Sequence, residues 1–165
     1  MFEVALGNMC CLLGMFLDSY SSSKKTKKEI LFFQSISQFV WGMSSIFLKG
    51  YSASVQNFVT IIRNIFALKA EPSKLIQWGI ILAGVVLGVL FNNRGWIGWL
   101  PIAANLEYSI CVFYIKDHEK LIKVSFLMSV LLFMIFNVYI MNVVGTITNL
   151  FVIASYVFNL IKKDK

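Results

Sequence analysis

The polar residues of the stretch GYSASVQNFVTIIRNIF, residues 50–66, have types and a spacing that suit hydrogen bonding to a polar solute. At about 100° per residue, one side of a helix collects Gln56, Asn57, Thr60, Arg63 and Asn64. Amides offer donors and acceptors side by side, which a hydroxylated or ring-bearing small molecule needs from its binding site. The alternative is that these side chains only hydrogen-bond to neighbouring helices.

A second stretch with the same pattern lies 92 positions later, within residues 142–161. Asn149 takes the position of Asn57 in this repeat, and Phe133 takes the position of Trp41 on the preceding helix. Amides and aromatic faces placed twice in this way predict one binding site shared by two related helix pairs. The predicted contacts are Asn57, Asn149, Trp41, Phe133, Gln56, Thr148, Asn64 and Tyr156.

Two ionisable side chains, Arg63 and Glu107, fall inside apolar stretches, where a charge is costly unless it is paired or wet. Counted from the outer ends of their helices they lie at similar depth, so they are predicted to form a charge pair that acts as a gate. The alternative for Arg63 is to extend its side chain to the cytoplasmic surface. Pro101, just upstream of Glu107, removes a helical hydrogen bond and predicts either a hinge or a static kink.

Enzyme and metal chemistry have no support in the sequence. Cys10, Cys11 and Cys111 lie in apolar stretches without the spacing of a metal site, and His118 stands in a charged loop. The motifs HExxH, GxSxG and GxGxxG and the P-loop do not occur. We therefore expect no enzyme activity, no metal and no cofactor.

The elements that carry these residues are membrane helices, because the composition leaves little for a water-exposed surface. The chain has 165 residues, of which 58% are hydrophobic and 14% are charged, and its mean hydropathy is +0.76. Apolar runs of about 20 residues, long enough to cross a bilayer as helices, follow one another along the chain. The fold class is thus predicted as an all-α polytopic membrane protein, with spans at residues 2–18, 30–48, 51–69, 75–92, 96–115, 121–140 and 142–161.

The lysines predict the orientation of these seven spans, because cationic loops stay on the cytoplasmic side. With the N-terminus outside, twelve of the 15 Lys and Arg residues fall in cytoplasmic segments, while Lys49 and Arg94 fall outside and Arg63 falls within a span. The C-terminus is then cytoplasmic. This asymmetry and contact with the anionic headgroups of the lipid bilayer account for the net charge of +7, so no nucleic-acid partner is expected.

The 92-residue shift also predicts the domain organisation. It places the first three spans on the last three and leaves one span between them, so both halves enter the membrane in the same sense. The predicted domains are a three-helix bundle at 1–70, a linker helix at 71–94 and a second three-helix bundle at 95–165. The Gly84-xxx-Gly88 pattern of the linker predicts close helix contact.

This 3+1+3 arrangement, with Trp41 on the second span, Asn57 on the third and Asn149 at the matching place on the seventh, resembles the SWEET and SemiSWEET sugar carriers and their superfamily. The compact length and the stretches SSSKKTKKEI and NFVTIIRNIF resemble in particular the YgjV-type inner-membrane proteins of bacteria. The resemblance implies location in the inner membrane and contact of a solute with Asn57 and Asn149. Carriers of vitamin precursors and membrane receptors that bind peptide tails share this architecture.

Two functions follow as expectations. The first is a facilitator that moves a small polar solute, such as a sugar, a nucleoside or a vitamin precursor, by alternating access at a site between the two halves. The second is a membrane receptor or scaffold of the same fold that transports nothing. Loops of about three to ten residues are short for a docking surface of ordinary size, which favours transport.

Overall fold

The computed structural model describes residues 2–69, 72–115 and 118–162, and these ranges are helical apart from short connections. A 3₁₀ turn, Gly95–Gly98, precedes the fifth helix. The α-helices in the described ranges are α1 Phe2–Ser22, α2 Lys27–Phe47, α3 Tyr51–Lys69, α4 Lys74–Leu90, α5 Trp99–Tyr114, α6 Glu119–Tyr139 and α7 Val143–Lys162. The predicted all-α class is therefore confirmed. Outside the described residues lie the domain boundary at 70 and 71 and three lysines of the orientation prediction, Lys116, Lys163 and Lys165.

Side-chain caps begin two of the helices. The Thr26 Oγ1 atom accepts the Glu29 N–H at 3.2 Å at the start of α2 and donates to the Glu29 carboxylate at 2.9 Å. Ser73 begins α4 by accepting the Ile76 N–H. Each cap satisfies a backbone donor that a helix leaves open at its N-terminus, so the chain starts a new helix within a few residues.

Two turns have the same left-handed geometry at positions 92 residues apart. Lys49 follows α2 and Met141 follows α6, each with a φ of 57°, which residues other than glycine rarely adopt. In each turn the N–H of the next residue donates to the carbonyl five positions back, at 2.8 Å from Gly50 and at 2.9 Å from Asn142. The α2–α3 and α6–α7 connections therefore share one backbone conformation.

Helix contacts close a ring of six helices. The neighbours around the ring are α1, α2, α3, α5, α6 and α7, and α7 packs back on α1. The remaining helix, α4, lies outside the ring against α3 and α5. A Cβ atom on Gly84 would lie 3.2 Å from Val59 of α3, and one on Gly88 would lie 2.7 Å from Ile102 of α5. The close contact that these two glycines predicted is therefore confirmed.

Polar side chains lie buried between the helices and apolar side chains cover the outer surface, the reverse of a water-soluble protein. Gln56, Arg63 and Asn64 are buried, whereas large apolar side chains such as Phe16 and Phe151 are exposed. Lipid solvates an apolar surface but offers no hydrogen bonds, so polar groups must find their partners within the protein. The polar stripe of α3 faces inward, as its helical spacing predicted.

Four of the described helices are long and apolar enough to cross a membrane, judged by length and composition: α1, α2, α6 and α7. α4 is apolar but has 17 residues, and α5 has 16. α3 has 19 residues, of which many are polar and buried. All seven predicted helices are therefore present. Three of them do not meet the criteria for length and hydropathy, α4 and α5 because they are short and α3 because of its polar stripe.

The first helix is longer than predicted. α1 continues to Ser22 rather than ending near residue 18. Its last residues are serines that bond to α7: Ser155 Oγ donates to Ser19 Oγ at 3.1 Å, and Asn159 Nδ2 donates to Ser22 Oγ at 2.8 Å. The polar run at residues 19–22 therefore marks a helix contact rather than a helix end, and Asp18 lies inside the helix.

Pro101 lies in the first turn of α5, which begins at Trp99 after the 3₁₀ turn. The sequence placed this proline inside a span that began at residue 96. The N–H groups of a first helical turn have no intrahelical partner, so a proline there removes no hydrogen bond. Pro101 thus lies at the start of α5 and not in its interior, and its role as a hinge or a static kink stays a prediction.

Candidate functional site

The ring of helices encloses a cavity, and all six ring helices contribute side chains to its wall. The space open to the centre of a water molecule is about 40 Å³, which is room for about three waters. The wall is mixed in character: it includes five asparagines, five aromatic rings and one carboxylate. Four of the predicted contacts line this cavity, namely Trp41, Asn57, Phe133 and Asn149.

These four residues come from pairs of helices that lie opposite each other in the ring. Asn57 is on α3 and Asn149 is on α7, while Trp41 is on α2 and Phe133 is on α6. In the order of the ring, two helices lie between the members of each pair in either direction. The structure therefore brings the predicted amides and rings to one cavity from opposite walls.

Two of the five asparagines, Asn57 and Asn149, make no side-chain hydrogen bond with any described residue, although they are only 4% and 5% exposed. The Nδ2 group of Asn149 is fully buried without a partner. The other three are bonded: Asn105 to α3, and Asn137 and Asn142 to each other. A buried amide without a partner costs about 1–3 kcal/mol, so the cavity leaves two repeat-related amides open for a bound molecule or water.

The Trp41 ring is fixed against α1 by a glycine and an acid one helical turn apart. A Cβ atom on Gly14 would lie 2.6 Å from the indole ring, so only a glycine admits the ring at this place. Four residues later, the Asp18 carboxylate accepts the indole Nε1–H at 2.8 Å, and it also accepts the Ser37 hydroxyl. Trp41 is therefore held in one orientation, with part of its ring on the cavity wall.

Arg63 lies one layer behind the cavity wall and is 0% exposed. Its Nε and Nη2 groups donate to Asn64 Oδ1 at 3.1 and 2.8 Å, and its Nη1 group donates to Asn105 Oδ1 and Ser109 Oγ at 3.2 Å. Its guanidinium also stacks over the Tyr108 ring, 4.4 Å from the centroid. Amide oxygens and an aromatic face thus take the place of a counterion.

Glu107 does not pair with Arg63. It lies on the exposed outer side of α5, where its Oε1 atom accepts the Ser125 hydroxyl at 2.6 Å. The two side chains have separate sets of partners, so the predicted charge pair is wrong. The predicted extension of Arg63 to the cytoplasmic surface is wrong as well, since the side chain is buried. The reason is helical phase: Asn105, two residues before Glu107, points to the opposite side of α5 and takes the place that Glu107 was assigned.

Asn105 is the centre of the polar contacts between α3 and α5. Its Oδ1 atom accepts from Thr60 at 2.9 Å and from Arg63 and Ser109 at 3.2 Å. Its Nδ2 group donates to Gln56 Oε1 at 2.7 Å. One amide therefore joins four side chains, and it also forms part of the cavity wall.

The remaining four predicted contacts are not part of the cavity wall. Gln56 Nε2 donates to the Gly84 carbonyl of α4 at 2.8 Å, and Thr148 Oγ1 bonds back to carbonyls of its own helix. Asn64 holds Arg63 and donates to the Leu31 carbonyl. Tyr156 accepts a hydrogen bond from Gln34 at 3.1 Å. Three of these four residues bond to other helices, as the interhelical alternative describes, and Thr148 bonds within its own helix.

A second and larger space, about 770 Å³, opens at one end of the molecule between α2, α3, α4 and α5. Lysines line it, namely Lys27, Lys28, Lys69 and Lys74, and Lys27 Nζ donates to the carbonyls of Val112 and Ile115. Residues 70 and 71, which lie between two of these lysines in the chain, are outside the described ranges. The central cavity is the better candidate site, because its unpaired amides are buried and all of its wall residues lie in the described ranges.

A comparison with known families identifies the chain. The model of the Imp-YgjV family, described as a bacterial inner membrane protein, matches residues 5–165. The chain belongs to this family. No curated protein and no solved structure matches it. The resemblance to YgjV-type proteins is thereby confirmed, and the inward polar residues and apolar surface are those of a protein of the bacterial inner membrane. Membership of the SWEET and SemiSWEET superfamily stays a prediction.

Among the cavity residues of this Imp-YgjV protein that sequence reasoning missed are two with distinctive chemistry, Asp18 and Asn105. The predicted first span ends at Asp18, because the serines after it resemble a helix end. An acidic residue at the end of a span does not by itself indicate a buried site. The observation that could have identified Asp18 is its ionisable side chain at the end of an apolar helix. Asn105 gave no separate signal, because single amides occur in many membrane helices as interhelical contacts.

Proposed function

We propose that this inner-membrane protein is a carrier that moves a small polar solute by alternating access at the central cavity. The two moving parts are α1–α3 and α5–α7, and α4 is the linker between them. The solute contacts Asn57 and Asn149 through hydrogen bonds and contacts Trp41 and Phe133 through its apolar faces. This assignment keeps the 3+1+3 arrangement of two parallel repeats as part of the proposal.

Two features support the division of the protein into two similar halves. The left-handed turns at Lys49 and Met141 have the same φ and the same backbone bonds at the 92-residue shift. The ring order is also consistent with twofold pseudosymmetry, since contact of α3 with α5 corresponds to contact of α7 with α1. Agreement in turn geometry and in helix contacts is more than a loose sequence repeat would require.

The observation that carries the proposal is the pair of open amides, Asn57 and Asn149. They occupy matching positions in the repeats, line one cavity and have no partner among the described residues, while the other three asparagines of the wall are bonded. Amides that only joined helices would have partners in those helices. A pair left open on opposite walls suits a ligand that touches both repeats.

The small volume of the cavity fits a carrier in a closed conformation. A hexose or a nucleoside needs several times the space of three waters, so the halves must move apart before such a solute enters. Alternating access includes a state in which the site is closed to both sides. The small cavity is in keeping with a contracted state of the proposed carrier, which opens before the solute enters.

Asn57→Ala and Asn149→Ala are expected to weaken solute binding by comparable factors, each about five-fold or more, because each removes a hydrogen bond worth about 1 kcal/mol or more in a dry site. The measurement is the rise in melting temperature of the purified protein with sugars, nucleosides and vitamin precursors, followed by uptake into proteoliposomes of the solutes that stabilise it. Both variants are expected to keep the melting temperature of the unliganded protein, since neither amide bonds to another helix.

Asn8→Ala is the matched control for this experiment. Asn8 is a half-buried amide on α1 that makes no side-chain hydrogen bond with the described residues and is not part of the cavity wall. Its replacement should leave binding unchanged. If both cavity variants bind like Asn8→Ala, or if both unfold, the amides are structural and the carrier proposal loses its main support.

The alternative of a receptor or scaffold that transports nothing is less well supported. The described connections at 23–26, 48–50, 91–94 and 140–142 are three or four residues long. A stable interface between proteins buries about 800 Å² on each partner, which such turns do not offer. The inward orientation of the polar groups also places the distinctive chemistry of this protein inside the ring.

The proposal includes the orientation with the N-terminus outside and the C-terminus in the cytoplasm, which follows from the lysine distribution. Two exposed lysines, Lys25 and Lys49, test it when each is replaced by cysteine in a chain whose three native cysteines are changed to alanine. A membrane-impermeant maleimide should label Lys49→Cys in intact cells and should label Lys25→Cys only after permeabilisation. The opposite pattern would reverse the orientation.

A further inference from the structure

Asp18 is the one carboxylic acid among the described residues of the cavity wall, and no cationic side chain lies there beside it. It is 2% exposed and lies on α1. Its oxygens accept from Trp41 Nε1 at 2.8 Å and from the Ser37 hydroxyl. Ser37 has a single hydroxyl proton and a second acceptor, the Gln34 carbonyl at 2.9 Å. A carboxylate has about four acceptor positions, so Asp18 keeps some of them open.

No lysine or arginine of the described chain reaches this carboxylate. The wall of the cavity contains neither residue type, and Asp18 forms no ion pair. Arg63 lies behind Asn105 and Tyr108, and its N–H groups are directed to Asn64, Asn105 and Ser109. A buried carboxylate without a counterion is costly in a low-dielectric interior, and a cation bound in the cavity would remove that cost.

The rings of the wall favour an organic cation. Five aromatic side chains line the same small space: Trp41, Tyr108, Phe126, Phe133 and Phe136. Aromatic faces attract ammonium groups, and tryptophan attracts them most strongly. A divalent metal would instead require several oxygen ligands with charge, and in the described chain no three His, Cys, Asp or Glu side chains come together.

The open amide of Asn149 adds an independent requirement on the ligand. Asn149 lines the same cavity wall, and its buried Nδ2 group has no acceptor among the described residues. A ligand that satisfies it carries an oxygen acceptor a short distance from its cationic group. An amino alcohol is the simplest molecule with both features.

We propose that the cavity binds a small organic cation with an oxygen acceptor, the ammonium held by Asp18 and the aromatic rings and the oxygen accepting from Asn149. The inference rests on the proposed carrier function and narrows its solute to a chemical class. It assigns to Asp18 a contact with the ligand in addition to its bonds with Ser37 and Trp41.

The test compares two cations with neutral molecules of the same shape. The melting temperature of the purified protein in a maltoside detergent is measured with ethanolamine and choline, and with their neutral isosteres 1-propanol and 3,3-dimethyl-1-butanol. Saturable stabilisation by at least one cation is expected, with none from its isostere. In Asp18→Asn, which keeps the shape and an oxygen acceptor, the affinity for the cation should fall about ten-fold or more.

Glu107→Gln is the matched control, because it neutralises a carboxylate on the outer side of α5, away from the cavity. It should bind the cations like the unaltered protein. If Asp18→Asn does not fold, the comparison of each cation with its isostere still decides the question in the unaltered protein. Equal effects of cation and isostere, or equal binding by Asp18→Asn, would overturn the inference.

The outcomes also separate this inference from the carrier proposal. If sugars or nucleosides stabilise the protein through Asn57 and Asn149 while the cations do not, the carrier proposal stands and the cationic class is wrong. If neither the cations nor the neutral solutes stabilise it, both fail. Stabilisation by the cations that is lost in both Asp18→Asn and Asn149→Ala supports the two together.

Discussion

Replacing Asn105 by leucine is expected to lower the free energy of unfolding by about 3–5 kcal/mol. Leucine has the same branching and the same number of side-chain heavy atoms but is larger and makes no hydrogen bonds. The change takes a partner from three buried groups at once: the Thr60 hydroxyl, the Arg63 Nη1 group and Gln56 Oε1. An unsatisfied buried group costs about 1–3 kcal/mol, and more when it is charged. The measurement is unfolding in mixed micelles with increasing SDS.

Two variants serve as controls for the Asn105 prediction. Asn105→Asp keeps the oxygen that accepts from Thr60 and Arg63 and loses only the bond to Gln56, so it should cost less than leucine. Glu107→Gln, two residues away, keeps an acceptor for Ser125 and should stay within about 1 kcal/mol of the unaltered protein. A loss from Glu107→Gln as large as that from Asn105→Leu would mean that Arg63 depends on Glu107.

The second large effect is expected from Gly88→Leu, which should destabilise the protein by about 3 kcal/mol. A Cβ atom at this position already meets Gln56 Nε2 and lies 2.7 Å from Ile102 Cγ1. A leucine must therefore push α4 away from α3 and α5, and the Gln56 bond to the Gly84 carbonyl breaks with it. Thermal unfolding in detergent and disulfide trapping between α4 and α3 measure the two consequences.

Gly79→Leu is the matched control, since it adds the same side chain to the same helix. Nothing lies within 4 Å of a Cβ atom at Gly79. Leucine also has a higher helix propensity than glycine, by about 0.8–1 kcal/mol, so this variant should be neutral or more stable. Equal losses from the two variants would contradict the packing role that Gly88 has against α3 and α5.

The sequence was most informative where one periodicity had one physical cause. The polar stripe of α3 must turn away from lipid, so the inward position of Asn57 followed from spacing alone. The repeat then predicted a matching position for Asn149, and both amides line the cavity. The helices themselves followed from apolar runs, with errors at the ends where serines or glycines occur.

Partner choice inside the ring was much harder to predict. Arg63 and Glu107 were matched by depth, but depth fixes position along a helix and not direction around it. The direction of α5 depends on how it packs with α3, α4 and α6, which a single sequence does not display. Asp18 was missed for a related reason, since the extent of α1 depends on its contacts with α7.

The matching turns at Lys49 and Met141 have a mechanical consequence. Each joins two antiparallel helices through three residues and bonds its backbone in a fixed pattern, so neither leaves slack between the helices it connects. We therefore expect each of two helix pairs, α2 with α3 and α6 with α7, to move as one rigid body. A motion that widens the space between these two helix pairs therefore occurs at the α3–α5 and α7–α1 contacts. The connection through α4, outside the ring, must accommodate it.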